Sequence, residues 1–355
     1  SWGLLGNQSG AGLYTFTSIM GIQPLGNWYF QDGRDMYINA PGVIDPFTTW
    51  EKVESKNLGL DFGFFNNALT GTFDVFQRDT KDMLGPSADL ADFFGAEAPN
   101  TNNARMRNRG WELSRLQYRG KIGKDIHYSI GGSLADATSE VTAYENPTGT
   151  NPQDNWYVGK KVGEIWGYKA SGLLQTQEEA DTYNNTYDLS FLSGQKWMPG
   201  DVKYMDLNND KKINNGNNTL EDMGDMCVIG NTTPRYQYTL NGSISWKGIS
   251  LSMMFQGIGK RNWSPDLGTV YFWGSGAYAQ VTVFNDHLDY WTPENPDAYY
   301  PNPYTGAAGS INQFRNKTSQ KSDRYMQSAA YCRLKNLTIS YDLPNSWSQK
   351  IGLSK

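Results

Sequence analysis

From Thr233 to Gly257 the chain reads TPRYQYTLNGSISWKGISLSMMFQG. Apolar residues recur there at every second position, with one break in phase at Lys247-Gly248. Tyr236, Tyr238, Leu240, Ile244 and Trp246 fall on one side, followed by Ile249, Leu251, Met253 and Phe255. Gln237, Thr239, Asn241, Ser243 and Ser245 alternate with the first set, and Ser250, Ser252 and Gln256 with the second. A period of two places successive side chains on opposite faces of a strand, so this is a pair of long strands joined by a two-residue hairpin. The break predicts a register in which Trp246 faces Ile249, Ile244 faces Leu251, Gly242 faces Met253 and Leu240 faces Phe255.

The pattern recurs along the chain. NLGLDFGFF sets Leu58, Leu60, Phe62 and Phe64 against Gly59, Asp61 and Gly63. LTGTFDVFQ sets Leu69, Gly71, Phe73 and Val75 against Thr70, Thr72 and Asp74. GWELSRLQY carries Trp111 and Leu113, then slips phase to Leu116 and Tyr118, which predicts a β-bulge near Ser114-Arg115. DIHYSIGGSLA gives Ile126, Tyr128, Ile130 and Leu134, and LTISYDL gives Leu337, Ile339 and Tyr341. Counting these runs, with the opening SWGLLGNQ, gives about eight strands.

The connections are of two kinds, and they alternate. Phe65 to Ala68, Gly120 to Lys124 and Lys247-Gly248 read as tight turns, whereas 9–49, 83–104, 141–232 and 263–327 are long. Compact soluble domains rarely carry loops of that length. An outer-membrane barrel does so routinely, with short turns on one rim and long extracellular loops on the other. Asp61, Asp74, Glu112, Gln237 and Asn241 would then face a wet lumen, and Tyr236, Tyr238 and Trp246 an interfacial girdle. The expected fold class is therefore all-β, an antiparallel transmembrane β-barrel with 141–232 and 263–327 as long extracellular loops, against a secreted β-sandwich or propeller array. TQEEADTY, Thr176 to Tyr183, reads as a short helix inside the first of these.

Composition is consistent with this reading. Glycine at 38 residues and aromatics at 14% suit many short strands and turns. A mean hydropathy of −0.62 argues against membrane helices but not against a barrel, whose strands show lipid only alternate side chains. Net charge is −5 and the basic residues are scattered, so a nucleic-acid partner is set aside. Cys227 and Cys332 form neither a disulfide framework nor a zinc spacing. His127 and His287 are the only histidines, too few for histidine-based catalysis, and no enzymatic activity is expected.

Two loop features are candidate sites. TVYFWGSGAY supplies Tyr271, Phe272, Trp273 and Tyr278, and DYWTPENPDAYYPNPY supplies Tyr290, Trp291, Tyr299 and Tyr300. At a barrel mouth such rings would stack on sugars or pack on peptide side chains; the alternative is that they pack loop on loop or on a partner. MDLNNDKKIN places Asp206, Asn208 and Asp210 at the first, third and fifth positions of a calcium loop, with the Lys212 carbonyl at the seventh. Lys211 replaces the usual glycine and Asn217 the bidentate glutamate, so any Ca²⁺ held there is weakly bound. The alternative is a plain turn rich in Asn and Asp.

Seven blocks in order resemble the SusC/RagA family of TonB-dependent outer-membrane transporters. They are SWGLLGNQ (1–8), TWEKVESKNLGLDFGFFNNALTGTFDVFQRDTKDML (49–84), MRNRGWELS (106–114), VGEIWGYKASGLLQTQEEAD (162–181), PGDVKYMDLNNDKKI (199–213), IGNTTPRYQY (229–238) and AAYCRLKNLTISYDLP (329–344). The resemblance implies a roughly 22-stranded barrel with a plug domain, set in the outer membrane of a member of the Bacteroidota and energised by the TonB complex. It further implies import of a large nutrient, oligosaccharide or peptide, together with a SusD-like surface lipoprotein. Residues 1–355 would be the C-terminal part of that barrel, without the plug domain or the final strands. The rival reading is a secreted carbohydrate-binding or adhesin module, which would present no lipid-facing belt.

Overall fold

The computed structural model describes residues 1–7, 17–24, 36–87, 98–267, 272–273, 284–303, 317 and 319–343. Eight antiparallel strands form one sheet in sequential order. They are β1 (Trp2–Asn7), β2 (Glu51–Phe64), β3 (Leu69–Pro86), β4 (Asn100–Ile122), β5 (Ile126–Ala143), β6 (Arg235–Trp246), β7 (Ile249–Lys260) and β8 (Tyr331–Tyr341). Every sheet neighbour is a chain neighbour, and among the described residues β1 and β8 each pair on one side only.

The tight turns lie on one rim. Lys247 and Gly248 both adopt positive φ, 47° and 86°, the geometry of a two-residue turn whose twist matches a hairpin. Trp246 then faces Ile249, Ile244 faces Leu251, Gly242 faces Met253 and Leu240 faces Phe255, the register that the alternation predicts. The β2–β3 turn holds Phe65, Asn66 and Asn67 at φ 54°, 53° and 64° and closes with Ala68 N–H donating to the Phe65 carbonyl at 3.1 Å. Strand β4 runs to Ile122 and β5 resumes at Ile126, so this turn is 123–125 rather than the 120–124 expected. In β4 the register shifts between Leu113 and Leu116, with Arg115 at φ 50°, so the predicted bulge restores the apolar phase.

The two faces of the sheet differ in chemistry. One row of paired positions runs Phe64, Leu69, Tyr118, Ile130, Gly242, Met253 and Leu337 across β2 to β8. Nearest the turns another runs Ile122, Ile126, Trp246, Ile249 and Tyr341. Aromatic rings on this face lie over glycines of the next strand, Phe62 over Gly71, Tyr128 over Gly120 and Tyr238 over Gly257, a large-on-small packing that fills the gap an absent side chain leaves. Leu58 is 74% exposed, Ile339 73% and Ile130 62%. Contiguous large side chains this exposed belong to a face made for an apolar surrounding. From Trp246 to Tyr238 the belt follows about 27 Å of strand at ~3.4 Å per residue, close to an apolar band of ~25 Å once strand tilt is included.

The long connections carry the only extended core among the described residues. Its members lie in the two segments 144–234 and 261–330, and include Tyr168, Leu174, Trp197, Tyr204, Ile213 and Tyr325, each at most 2% exposed. Short strand pairs hold each segment, Glu164–Tyr168 with Met226–Asn231 and Ala170–Leu173 with Val202–Tyr204 in the first and Asn262–Trp263 with Gln327–Ser328 in the second. A bridge between Tyr168 and Ser322 and the shared core join the two. Helix α1 spans Gln177–Thr186, capped by the Thr176 hydroxyl accepting the Glu179 N–H at 3.1 Å. The two loops thus fold as one body beyond the strand ends.

Candidate ligand-facing surface

The face opposite the belt is a polar wall. Asp61 accepts from the Thr72 hydroxyl at 2.6 Å, and Asp74 from the Asn57 amide at 3.2 Å. Farther along, Ser129 and Ser243 hydroxyls meet at 2.8 Å, Ser133 and Thr239 at 2.7 Å, and Arg333 donates to Gln256 at 3.2 Å. Glu112, Gln237 and Asn241 stand exposed on this same side. Near the turn rim Arg119, Lys121, His127, Ser129, Ser243 and Ser245 line a cleft of about 410 Å³. His127 is exposed here, one polar group among several.

At the other end the strand tips meet the loop body. A cleft of about 570 Å³ lies between them, lined in part by Ser139, Lys161, Glu164, Asn231, Arg235 and Lys260. Its shape is fixed by Arg235, which donates through two guanidinium nitrogens to Asp136. Tyr236 adopts φ 54° beside this pair and its N–H reaches the same carboxylate at 3.4 Å. A second cleft of about 550 Å³ brings together Asp154, Glu164, Trp166, Trp263, Gln320 and Lys321. Mixed charge beside indole rings suits ligands that carry both hydrogen-bonding groups and apolar faces.

Of the two arrangements open to the candidate aromatics, those among the described residues pack within the loop body. Phe272, Trp273 and Trp291 are 7%, 2% and 8% exposed and belong to the loop-body core. Trp273 stacks on Tyr300 with centroids 4.9 Å apart and planes 12° apart, and Phe272 meets Tyr325 edge-on at 5.0 Å. Trp291 donates its indole N–H to Gln175 at 3.0 Å. The ring contacts of Phe272 and Trp273 lie within the second segment, and Trp291 reaches the first through Gln175. Tyr290 is half-buried at the edge of this cluster, while Tyr271 and Tyr278 lie outside the described residues.

Asp206, Asn208 and Asp210 do converge, on their own backbone. Asp206 accepts the N–H groups of Asn209 at 2.7 Å and Lys211 at 3.0 Å. Asn208 accepts from Asp210 N–H at 3.0 Å, and Asp210 from Lys212 N–H at 2.8 Å. Asn209 and Lys211 take positive φ, 62° and 63°, so Lys211 adopts the backbone that a calcium loop usually gives to glycine. Among the described residues no group of three or more His, Cys, Asp or Glu side chains gathers as a metal site. Two carboxylates, one amide and a carbonyl reach the six oxygens Ca²⁺ commonly takes at the least only if both carboxylates bind bidentate, and each carboxylate oxygen already accepts a hydrogen bond.

The architecture so far is a sequential antiparallel sheet with a polar wall, an apolar belt, tight turns on one rim and long loops on the other. Residues 11–353 match the family described as TonB dependent receptor-like, beta-barrel. The chain belongs to this TonB-dependent receptor β-barrel family. It is 25% identical over 86% of its length to TonB-dependent receptor P3 of Formosa agariphila, of which it covers 28%. To TonB-dependent receptor SusC of Bacteroides thetaiotaomicron it is 22% identical over 98% of its length, covering 31% of that protein. Among solved structures, that of the RagAB peptide transporter superimposes with a TM-score of 0.63 at 23% identity, over 97% of this chain and 34% of the solved one. The open-open state of the RagAB peptide importer gives 0.65 at 21% identity, over 98% and 33%. The chain therefore spans about a third of the relatives it matches, and the structural likeness is one of fold.

For a TonB-dependent receptor barrel, the least expected feature is a buried ion pair inside the loop body. Lys317 Nζ donates to Asp201 at 2.8 Å with both side chains fully buried. It also donates to the Lys196 carbonyl and lies 5.2 Å from the centre of the Trp197 ring. Burial pushes the ammonium below its ordinary pKa, and the Asp201 carboxylate opposes that shift. Tyr204 donates to the Lys317 carbonyl at 2.7 Å, tying the same residue in through its backbone. Sequence offers no sign of this pair, whose members are 116 residues apart. His287 is likewise a packing residue, 1% exposed and edge-on to Trp273 at 5.5 Å.

Proposed function

We propose that this chain forms part of the barrel and mouth of an outer-membrane importer that takes up an oligosaccharide or a peptide too large for porins, energised by the TonB complex. Membership of a family of outer-membrane receptors and transporters supports this reading. The observation that carries it is the two-faced sheet: an exposed apolar belt backed by a wet polar wall gives a secreted module no advantage and is what a lipid-facing wall requires. Segments 141–232 and 263–327 are proposed to lie outside the cell, where their folded body offers a SusD-like lipoprotein a preformed docking surface. The RagAB likeness adds peptides to the substrates to be tried.

The test uses the whole transporter in its host. Deleting it should abolish uptake of its labelled substrate among a panel of oligosaccharides and peptides. Loss of TonB or of a co-encoded surface lipoprotein should do the same. Protease added to intact cells should cut within the long loops and spare the turn at 123–125. Uptake that persists without TonB, or cleavage at 123–125 alone, would overturn the proposal.

A weak Ca²⁺ site at Asp206, Asn208, Asp210 and the Lys212 carbonyl is a separate part of this reading. Its role would be to stiffen a loop already held by its own hydrogen bonds. Calorimetric titration of the transporter should show calcium binding near the millimolar end of the range for extracellular modules, lost in Asp206→Asn/Asp210→Asn. Identical heats from the double variant would leave the loop a plain Asx turn.

A further inference from the structure

Above the apolar belt, on the loop side, the outward face of β2, β3 and β4 turns abruptly to charge. Leu58, Val75 and Trp111 form one paired row; the next outward row is Lys56, Gln77 and Arg109, then Glu54, Asp79 and Arg107, then Lys52 and Lys81. The register is unbroken through these positions, so all of them share the face of Leu58 and Phe73. The change begins about 7 Å along the strand beyond the belt, two residues at ~3.4 Å each. Trp2 of β1, 66% exposed, stands opposite Lys56 at this level and donates its indole N–H to Glu54 at 3.1 Å. An amphipathic indole beside an apolar band is where a membrane interface places one.

Within this band the cations lie outermost. Lys56 and Lys81 share Glu54, at 3.1 and 2.6 Å, with side chains 55% and 43% exposed against 17% for the glutamate. Arg107 meets Asp79 at 2.6 Å, 38% against 11%, and Lys52 meets Asp82 at 2.9 Å, 53% against 25%. Arg109 is exposed and donates to a neutral amide, Gln77, at 2.9 Å. Glu140, at the β5 end, is the exposed carboxylate of the band, and its strand bridges to Lys161. Carboxylates thus sit beneath and hold the ammonium and guanidinium groups at the surface, with donor hydrogens left over.

We infer that Lys52, Lys56, Lys81, Arg107 and Arg109 form a binding site for the phosphate groups of lipids in the surrounding leaflet, seated directly above the lipid-facing belt. The five cations outnumber Glu54, Asp79, Asp82 and Glu140 by one, lie outside the carboxylates that hold them, and keep N–H donors that a phosphate at the headgroup level can accept from. Continuity with the belt selects a membrane lipid over a soluble anion, because one molecule can place its tails on Leu58, Phe73 and Trp111 and its phosphate on the cations above. The inference rests on the outer-membrane reading, and its test separates the two.

The full-length transporter, purified and exchanged into detergent, is titrated with monophosphoryl lipid A and with the same lipid after dephosphorylation, and bound lipid is read by native mass spectrometry. Wild type should favour the phosphorylated form at least tenfold, with the preference shrinking as salt rises. Lys52→Gln/Lys56→Gln/Arg109→Gln leaves Glu54 paired with Lys81 and Asp79 with Arg107, so no deeply set carboxylate is stranded. It should lose the preference while still inserting into phosphatidylcholine vesicles. Arg333→Gln, on the polar wall, should retain it. Equal binding of both lipids by wild type, or an unchanged preference in the triple variant, would overturn the inference. Failure of wild type to insert into vesicles would instead overturn the membrane reading beneath it.

Discussion

Lys317→Met should destabilise the loop body by about 3–5 kcal/mol, the cost of leaving a buried carboxylate without its partner. Both side chains of the Lys317–Asp201 pair are fully buried, so water cannot replace the lost ammonium. Asp201 also accepts the Met198 N–H at 2.8 Å, which helps the carboxylate but does not neutralise it. The Lys196 carbonyl loses a donor as well. The double variant Lys317→Met/Asp201→Leu should recover most of the loss, because an apolar pair removes the stranded charge and leaves neutral groups, the Met198 N–H and the Lys196 carbonyl among them, in its place. Hydrogen exchange of the whole transporter would report this as faster exchange across 165–230 in the single variant, with the strand amides of β2 to β7 unchanged. Equal protection in the single variant and wild type would show that the pair does not hold the two loops together.

For the docking proposed above, the consequence lies in the loops' readiness to bind. An ordered mouth meets a partner without first losing conformational freedom, whereas a floppy one must lose it on docking. The ion pair, the stacked Trp273–Tyr300 and the capped helix α1 all act on that term. Their aromatic and charged groups are used in building the mouth. The clefts at the strand tips are lined instead by mixed charge, Lys161, Glu164, Arg235 and Lys260 among them.

What could be read from sequence divides along this boundary. The β6–β7 register followed from a period of two and a two-residue break, and the β4 bulge from a phase slip, because pairing leaves a mark at every second residue. Strand ends are less legible. β3 reaches Pro86 and β4 begins at Asn100, since beyond the belt both faces are polar and alternation no longer shows in hydropathy. The loop aromatics carry no period. Phe272 and Trp291 look the same in sequence whether they line a cleft or fill a core, and only the convergence of segments more than a hundred residues apart decides it. The Lys317–Asp201 pair is invisible for the same reason. The alternating oxygens of the acidic loop are legible in sequence, but its hydrogen bonds to Asn209, Lys211 and Lys212 depend on backbone angles that residue types alone do not fix.

Ile130→Arg should cost about 2–4 kcal/mol in a bilayer, the penalty for a cation on the lipid face near the midplane of a barrel. Ile130 lies in the middle outward row, between Tyr118 and Gly242, two outward positions from the turn rim at Ile126 and two from Leu134. An arginine there is too far from either interface to reach headgroups without thinning the membrane. Asn241→Arg, one pairing row away on the opposite face and facing Gly131, should change stability by no more than about 0.5 kcal/mol, as an exposed surface substitution does. The comparison is made by reversible denaturant unfolding of the full-length transporter in phospholipid vesicles, with both variants checked for insertion. A period of two makes the pair decisive, since adjacent positions cannot share a face. If the wall were that of a secreted module, both faces would be wet and Ile130→Arg would be nearly silent. If the faces were reversed, Asn241→Arg would carry the penalty. A loss confined to Ile130→Arg assigns the belt to lipid and the polar wall to the lumen.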